Sequence, residues 1–205
     1  MSLPNLHVGL FDLLLLAVLA AGLFKGRQHG MSVEFLDLAK WVAVLFGSAA
    51  LYQILGDELA LSLRVFGLLS CYLMAYLVAA MLIFTVFALL KHAVGGKLLG
   101  SDIFGRGEYY LGMVSGMARY SCVLLAALAV LNARAFSPVE VRAMHDFQKT
   151  QFGEQFFPTL QSVQASVFED SCFGPWIHQK LAFLLIKPTE PSHEQRQLRV
   201  VKAPF

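Results

Sequence analysis

Residues 65–90 read "VFGLLSCYLMAYLVAAMLIFTVFALL", with no charged side chain between Arg64 and Lys91. Wound as a helix at about 1.5 Å per residue, this stretch is about 39 Å long, more than the roughly 30 Å hydrocarbon core of a bilayer. Lipid offers no partner to backbone N–H and C=O groups, so such a run crosses only as a helix. The rest of the chain agrees with that reading. Its residues are 57% hydrophobic and 15% charged, with a mean hydropathy of +0.62, too apolar for an ordinary soluble domain.

Three further stretches, residues 6–24, 36–55 and 109–131, approach spanning length. The first is not read as a cleaved leader, because "MSLPNLHVGL" ahead of it carries no Lys or Arg and the basic residues follow the apolar block. The expected fold is therefore an all-α integral membrane protein, with four transmembrane helices in residues 1–131 and amphipathic helices in residues 132–205. In the second part, "FSPVE" sets Ser137 as an N-cap, Pro138 in the first turn and Glu140 as a capping-box acid, which starts a helix near Pro138. Phe156, Leu160, Val163 and Val167 recur at helical spacing, and "GPWIHQKLAFLLI" at residues 174–186 offers another amphipathic turn or two. Such helices pack on the membrane surface or on their own bundle, or else dock a partner. From Pro188 onward the chain is polar and expected to be loose.

Basic residues fix an expected orientation. Lys25, Arg27 and Lys40 flank the first loop, and Lys91, Lys97 and Arg106 lie in the third, so both are assigned to the cytoplasm and both termini to the opposite face. Arg134, Arg142 and Lys149 argue the other way.

Two charges sit where lipid should forbid them. The apolar run of the first helix, 13–24, has only 12 residues, about 18 Å, so spanning draws Asp12 into the membrane. Arg119 falls near the middle of the fourth helix. Either the two face the bundle interior and pair, or they snorkel to the interfaces in thinned lipid. Glu34, Asp37 and Lys40, three apart, form a stripe approaching Trp41 that reads as a solvated or headgroup-level face, or as a charged vestibule at the cytoplasmic mouth. Arg27 and Glu108 belong to the same expected face. Gly22, Gly26 and Gly30 are four apart. Only Gly22 lies within the apolar block, so Gly26 and Gly30 read as a neck where the first helix ends or bends toward the second. Gly112 and Gly116 in "GMVSG" allow two backbones to approach closely.

Other chemistries leave no trace. No zinc-protease, nucleophile-elbow or phosphate-loop pattern is present, no Cys/His cluster has ligand spacing, and the six histidines are scattered singly. Neither a cofactor, a metal nor an enzymatic activity is expected. The net charge is +2 and no basic block is interleaved with aromatics, which argues against nucleic acid as a partner. Cys71, Cys122 and Cys172 lie far apart and make no disulfide framework.

The order Asp12, Gly22, Gly26-Arg27, Gly30, Glu34 and Trp41, followed by "GSDIFGRGEYYLGMVSGMAR" with Gly112, Gly116 and Arg119 in step, resembles the colicin V production protein (CvpA) family over residues 8–131. It departs at Glu108-Tyr109, where that family has Asp-Arg, unless Asp102 and Arg106 take those roles. The resemblance implies a small bacterial inner-membrane protein with four membrane segments, its tail outside the cytoplasm, and involvement in toxin export or envelope homeostasis. On this reading the chain is a homo-oligomeric channel or transport-related component; the alternative is a non-conducting scaffold that docks an envelope protein through its carboxyl-terminal tail.

Overall fold

The computed structural model describes residues 9–63, 66–98, 107–152 and 158–189, leaving out the side chains of 29–33, 94–98 and 151–152. The described residues are almost entirely helical: α1 (Leu10–Ser62), α2 (Leu68–Leu98), α3 (Glu108–Asn132), α4 (Pro138–Phe152), α5 (Leu160–Phe168), α6 (Gly174–Lys180) and a 3₁₀ turn, Ala182–Leu184. Three stretches are long and apolar enough to cross a membrane: Glu34–Ser62, Leu68–Ala93 and Glu108–Asn132. The expected first span is not among them. Its apolar run is short, and residues 6–8, needed to lengthen it, lie outside the described residues.

The first two expected helices are one helix, α1, of 53 residues. It cannot be straight. Asp12 and Tyr52 would stand about 60 Å apart on a straight rod, yet Asp12 accepts from the backbone N–H of Cys172 and Tyr52 from that of Lys187. Residues 172–187, partly wound into α6 and the 3₁₀ turn, are too short to bridge that gap. The contacts along α3 locate the reversal. Gly26 lies against Gly112 and Gly22 against Gly116 and Tyr120, so the amino-terminal leg runs antiparallel to α3. Glu34 and Asp37 meet Arg119, and Tyr52 shares a core with Leu128 and Ala129, so the second leg runs parallel to α3. α1 therefore doubles back between Gly26 and Glu34. α2 completes a second hairpin, with Gly56 against Tyr72, Gly47 against Ile83 and Trp41 edge-on to Phe84 at 5.1 Å.

Close backbone approach holds the first leg to α3. A Cβ on Gly22 would lie 2.9 Å from the Gly116 carbonyl oxygen, and one on Gly116 would lie 2.8 Å from the Gly26 Cα. These neighbours are backbone atoms, which cannot swing aside. Gly26 is thus part of a packing ridge whose face α3 fills, and the reversal of α1 follows it before Glu34. Gly30 lies within α1, but its surroundings are outside the described residues.

α5, α6, the 3₁₀ turn and the residues just after it pack against the bundle. Tyr52, Ala75, Leu128, Ala129, Val167, Phe168, Ile177, Leu185 and Ile186 make one hydrophobic core, so the tail shares the bundle's interior. Ser137 Oγ caps α4 as expected, accepting from the Glu140 N–H at 3.2 Å. The Glu140 carboxylate pairs with Arg134. Thr159 Oγ1 caps α5, accepting from the Ser162 N–H. Of the expected apolar stripe, Val167 is buried, Leu160 and Val163 are exposed, and Phe156 lies outside the described residues. The chain is held through Thr189, beyond the expected loosening at Pro188: its N–H donates to the Ala133 carbonyl and its own carbonyl accepts from the Ala135 N–H.

Replacing Gly26 or Gly116 by Ala tests the glycine contact. Helix propensity alone would favour Ala by about 1 kcal/mol, but overpacking against fixed backbone costs about 1–3 kcal/mol or more. Both variants should therefore melt earlier in detergent than the parent, whereas Gly107→Ala, whose Cβ would meet only Leu111 Cδ1 at 3.8 Å, should melt with it.

Candidate functional site

Arg119 sits on α3 one turn beyond Gly116, on the stretch that the glycine contact draws toward α1. Helical side chains lean toward the helix amino terminus, so the guanidinium points toward the end of the bundle where α1 reverses. There Nη1 lies 2.6 Å from Glu34 Oε2 and 3.6 Å from Asp37 Oδ2. Asp37 Oδ1 in turn accepts from Lys40 Nζ at 2.9 Å and lies 3.5 Å from Lys91 Nζ on α2. Two acids and three bases from three helix segments thus form one connected cluster. The guanidinium also stacks over Tyr120 at 5.1 Å, and Lys40 Nζ lies over the Phe84 ring at 5.6 Å.

Exposure rises steadily through the cluster. Glu34 is 1% exposed, Arg119 15%, Asp37 20%, Lys40 22% and Lys91 55%. A buried carboxylate is tolerable only beside a compensating cation, and the Arg119 guanidinium lies within ion-pair distance of it. The outer members border a recess of about 140 Å³ between Leu36, Asp37, Lys40, Phe84, Phe87 and Lys91. The arrangement is a charged ladder that leads from a dry interior to the surface of the bundle.

Two expectations change. Asp12 and Arg119 do not meet, because the reversal of α1 places them toward opposite ends of the bundle. The stripe of Glu34, Asp37 and Lys40 is not a uniformly solvated face, since the packing of α3 covers Glu34. Arg27 is exposed, with its guanidinium 5.0 Å above the Tyr109 ring, and Glu108 begins α3, where the helix dipole favours an acid. Asp102 and Arg106 lie outside the described residues.

Asp12 has a different task. It stands in the first turn of α1, and its Oδ2 accepts from the N–H of Gly9 at 3.0 Å and of Cys172 at 3.0 Å, while Oδ1 accepts from Phe173 N–H at 3.3 Å. Burial pushes its carboxyl up, but the three backbone donors outweigh burial and hold it below the ordinary value. The turn it grips is tight. Ser171 Oγ accepts from the Gly174 N–H at 2.8 Å and donates to the Val167 carbonyl at 2.6 Å. Nothing in the sequence links Asp12 to residues 160 positions away. The only signal was a carboxylate too deep to be left unsatisfied.

A cleft of about 430 Å³, absent from the sequence reading, opens beside the tail among Arg134, Gln161, Gln164, Phe168, Glu169 and His178. Its cation is engaged, since Arg134 pairs with Glu140 and stacks on Phe136 at 4.7 Å. Among the described residues no group of three or more His, Cys, Asp or Glu could hold a metal ion. The three cysteines are free.

Compared with known proteins, the chain matches no family model, no curated protein and no solved structure.

Removing Arg119 takes the guanidinium away from buried Glu34, and breaking a buried charge pair of this kind costs about 3–5 kcal/mol. Arg119→Gln should therefore lower the unfolding midpoint sharply, and adding Glu34→Gln should recover much of the loss in a double-mutant cycle. The Asp12 contribution has the opposite pH sense from a base. A carboxyl held below its ordinary 3.8 stabilises fully above that pH and loses its contribution as pH falls through the lowered value. Protection of the backbone N–H groups at residues 171–174 against hydrogen exchange, taken relative to the intrinsic rate at each pH, should fall on acidification below about pH 4 in the parent, and should be low at all pH values in Asp12→Asn.

Proposed function

We propose that the chain is a CvpA-like, multi-pass component of a bacterial inner membrane that assembles with copies of itself to form or support a transport pathway. The observation that carries this reading is the ladder from Glu34 through Arg119 and Asp37 to Lys40 and Lys91. Ionisable side chains within membrane-capable helices are costly and mark ion or solute routes far more often than chance. A graded exposure from 1% to 55% gives a charged species a continuous set of partners from surface to interior. Homo-oligomerisation enters because the bundle exposes many large apolar side chains on α1 and α2, among them Leu77, Met81, Leu82 and Leu89, which lipid or a second copy must cover. The charged end of the bundle, with Lys25, Arg27, Lys40 and Lys91, is assigned to the cytoplasm and both termini to the periplasm.

The scaffold reading keeps one observation in its favour. The glycine ridges are consumed inside the chain, and α4 and α5 expose Val139, Phe147, Leu160 and Val163 on the outside of the tail. Deleting the tail would not separate the readings, since Ile186 and Ile177 belong to the shared core.

Flux measurements in liposomes decide between them. Purified parent protein should pass ions under an applied potential or osmotic stretch, and the folded Arg119→Gln/Glu34→Gln variant should change that flux at least several-fold. An inert parent whose Phe147→Asp variant loses a co-purifying envelope protein would establish the scaffold.

A further inference from the structure

The segment from Phe173 to Ile186 has two apolar sides. Inward, Ile177, Leu184, Leu185 and Ile186 are buried in the shared core. Outward, Phe173, Trp176 and Phe183 are 48%, 57% and 63% exposed. A short element apolar on both sides suits neither a water-facing cap nor a fully enclosed core, and bilayers are the setting where such elements recur.

Its depth follows from one ring contact. The Phe183 ring lies 6.3 Å from that of Phe46, which is itself 50% exposed on the outer face of α1. Between Lys40 and Asp57 the second leg carries no charge. Phe46 stands about 9 Å along the helix from Lys40 and about 16 Å from Asp57. Phe183 therefore sits beside the uncharged part of a membrane-capable stretch, well away from either charged end. His178, Gln179 and Lys180 are exposed, and His178 lines the cleft beside the tail, which gives the segment a polar edge toward water. Tryptophan with a nearby polar edge is the usual furnishing of a membrane interface.

We propose that residues 173–186 form a membrane-seated element whose Phe173, Trp176 and Phe183 contact lipid acyl chains, continuous with the lipid-facing side of α1 at Phe46. This rests on the reading that Glu34–Ser62 crosses the bilayer. The tail is then anchored twice, by Asp12 to the Cys172–Phe173 backbone and by its own aromatic face to lipid.

The chain has two tryptophans, Trp41 within Glu34–Ser62 and Trp176, so each reports on one claim. In proteoliposomes, Trp41→Phe leaves Trp176 as the sole emitter and Trp176→Phe leaves Trp41. With lipids brominated on the acyl chain, Trp176 should lose most of its emission, while aqueous iodide should leave it nearly unchanged. Strong quenching of Trp176 by iodide, with Trp41 quenched by brominated lipid, would overturn the inference and leave the crossing of α1 intact. Resistance of Trp176 to both quenchers, the signature of a covering protein or second copy, would overturn it too. If brominated lipid quenches neither tryptophan, the crossing reading itself fails. Should Trp41→Phe not fold, the difference between parent and Trp176→Phe emission gives the same outcomes.

Discussion

The contact between the glycine faces of α1 and α3 governs the rest of the structure. Gly22 and Gly26 meet Gly112 and Gly116 backbone to backbone, closer than any pair of side-chain-bearing helices can approach. That spacing seats α3 against the amino-terminal leg. The second leg, returning alongside, then comes within reach of Arg119. Were the glycines larger, α3 would stand off, and the guanidinium would lose the buried carboxylate it neutralises.

The ionic cluster is costly to form and costlier to break. Desolvating Glu34 is unfavourable by several kcal/mol in isolation, and its partner comes from a helix distant in sequence. The acid and the base therefore stabilise the tertiary arrangement only once the glycine contact exists. The same dependence makes the cluster a sensor of packing: a small movement of α3 along α1 would change which of Glu34 and Asp37 Arg119 favours, at 2.6 and 3.6 Å.

Helix content was readable from the sequence because hydropathy and length constrain any apolar run in the same way wherever it lies. α3 falls within one residue of its expected limits at each end, whereas α2 runs on to Leu98 through the first part of the stretch read as loop, and Ser137 and Pro138 marked the start of α4 through a local hydrogen bond. Glu34, Asp37, Lys40 and Arg119 were each conspicuous as charges in apolar surroundings, and so was Asp12. Their pairing was not legible. It depends on where α1 reverses, and that is decided by packing against α3, not by a breaker such as proline. The partners of Asp12 are backbone groups, which carry no residue signature at all. The glycine ladder was visible, but the surface that fills Gly22 and Gly26 lies on α3 and left no mark on the first helix. Likewise the tail showed its helical periodicity, while the burial of Ile186 and the seat of Phe183 against Phe46 depend on the whole fold.

With the reversal of α1 in place, the Asp12 clamp, the Arg119 cluster and the shared core under the tail are compatible; without it none of them can coexist. The distance between the legs is therefore the most direct test. Spin labels at Leu13→Cys and Leu51→Cys, both exposed positions, in a chain with its native cysteines replaced, would be about 57 Å apart on a straight helix. The folded-back arrangement predicts a dipolar distance distribution centred below about 30 Å, two to three helix diameters. A distribution centred beyond about 50 Å, the straight-rod spacing, would contradict it.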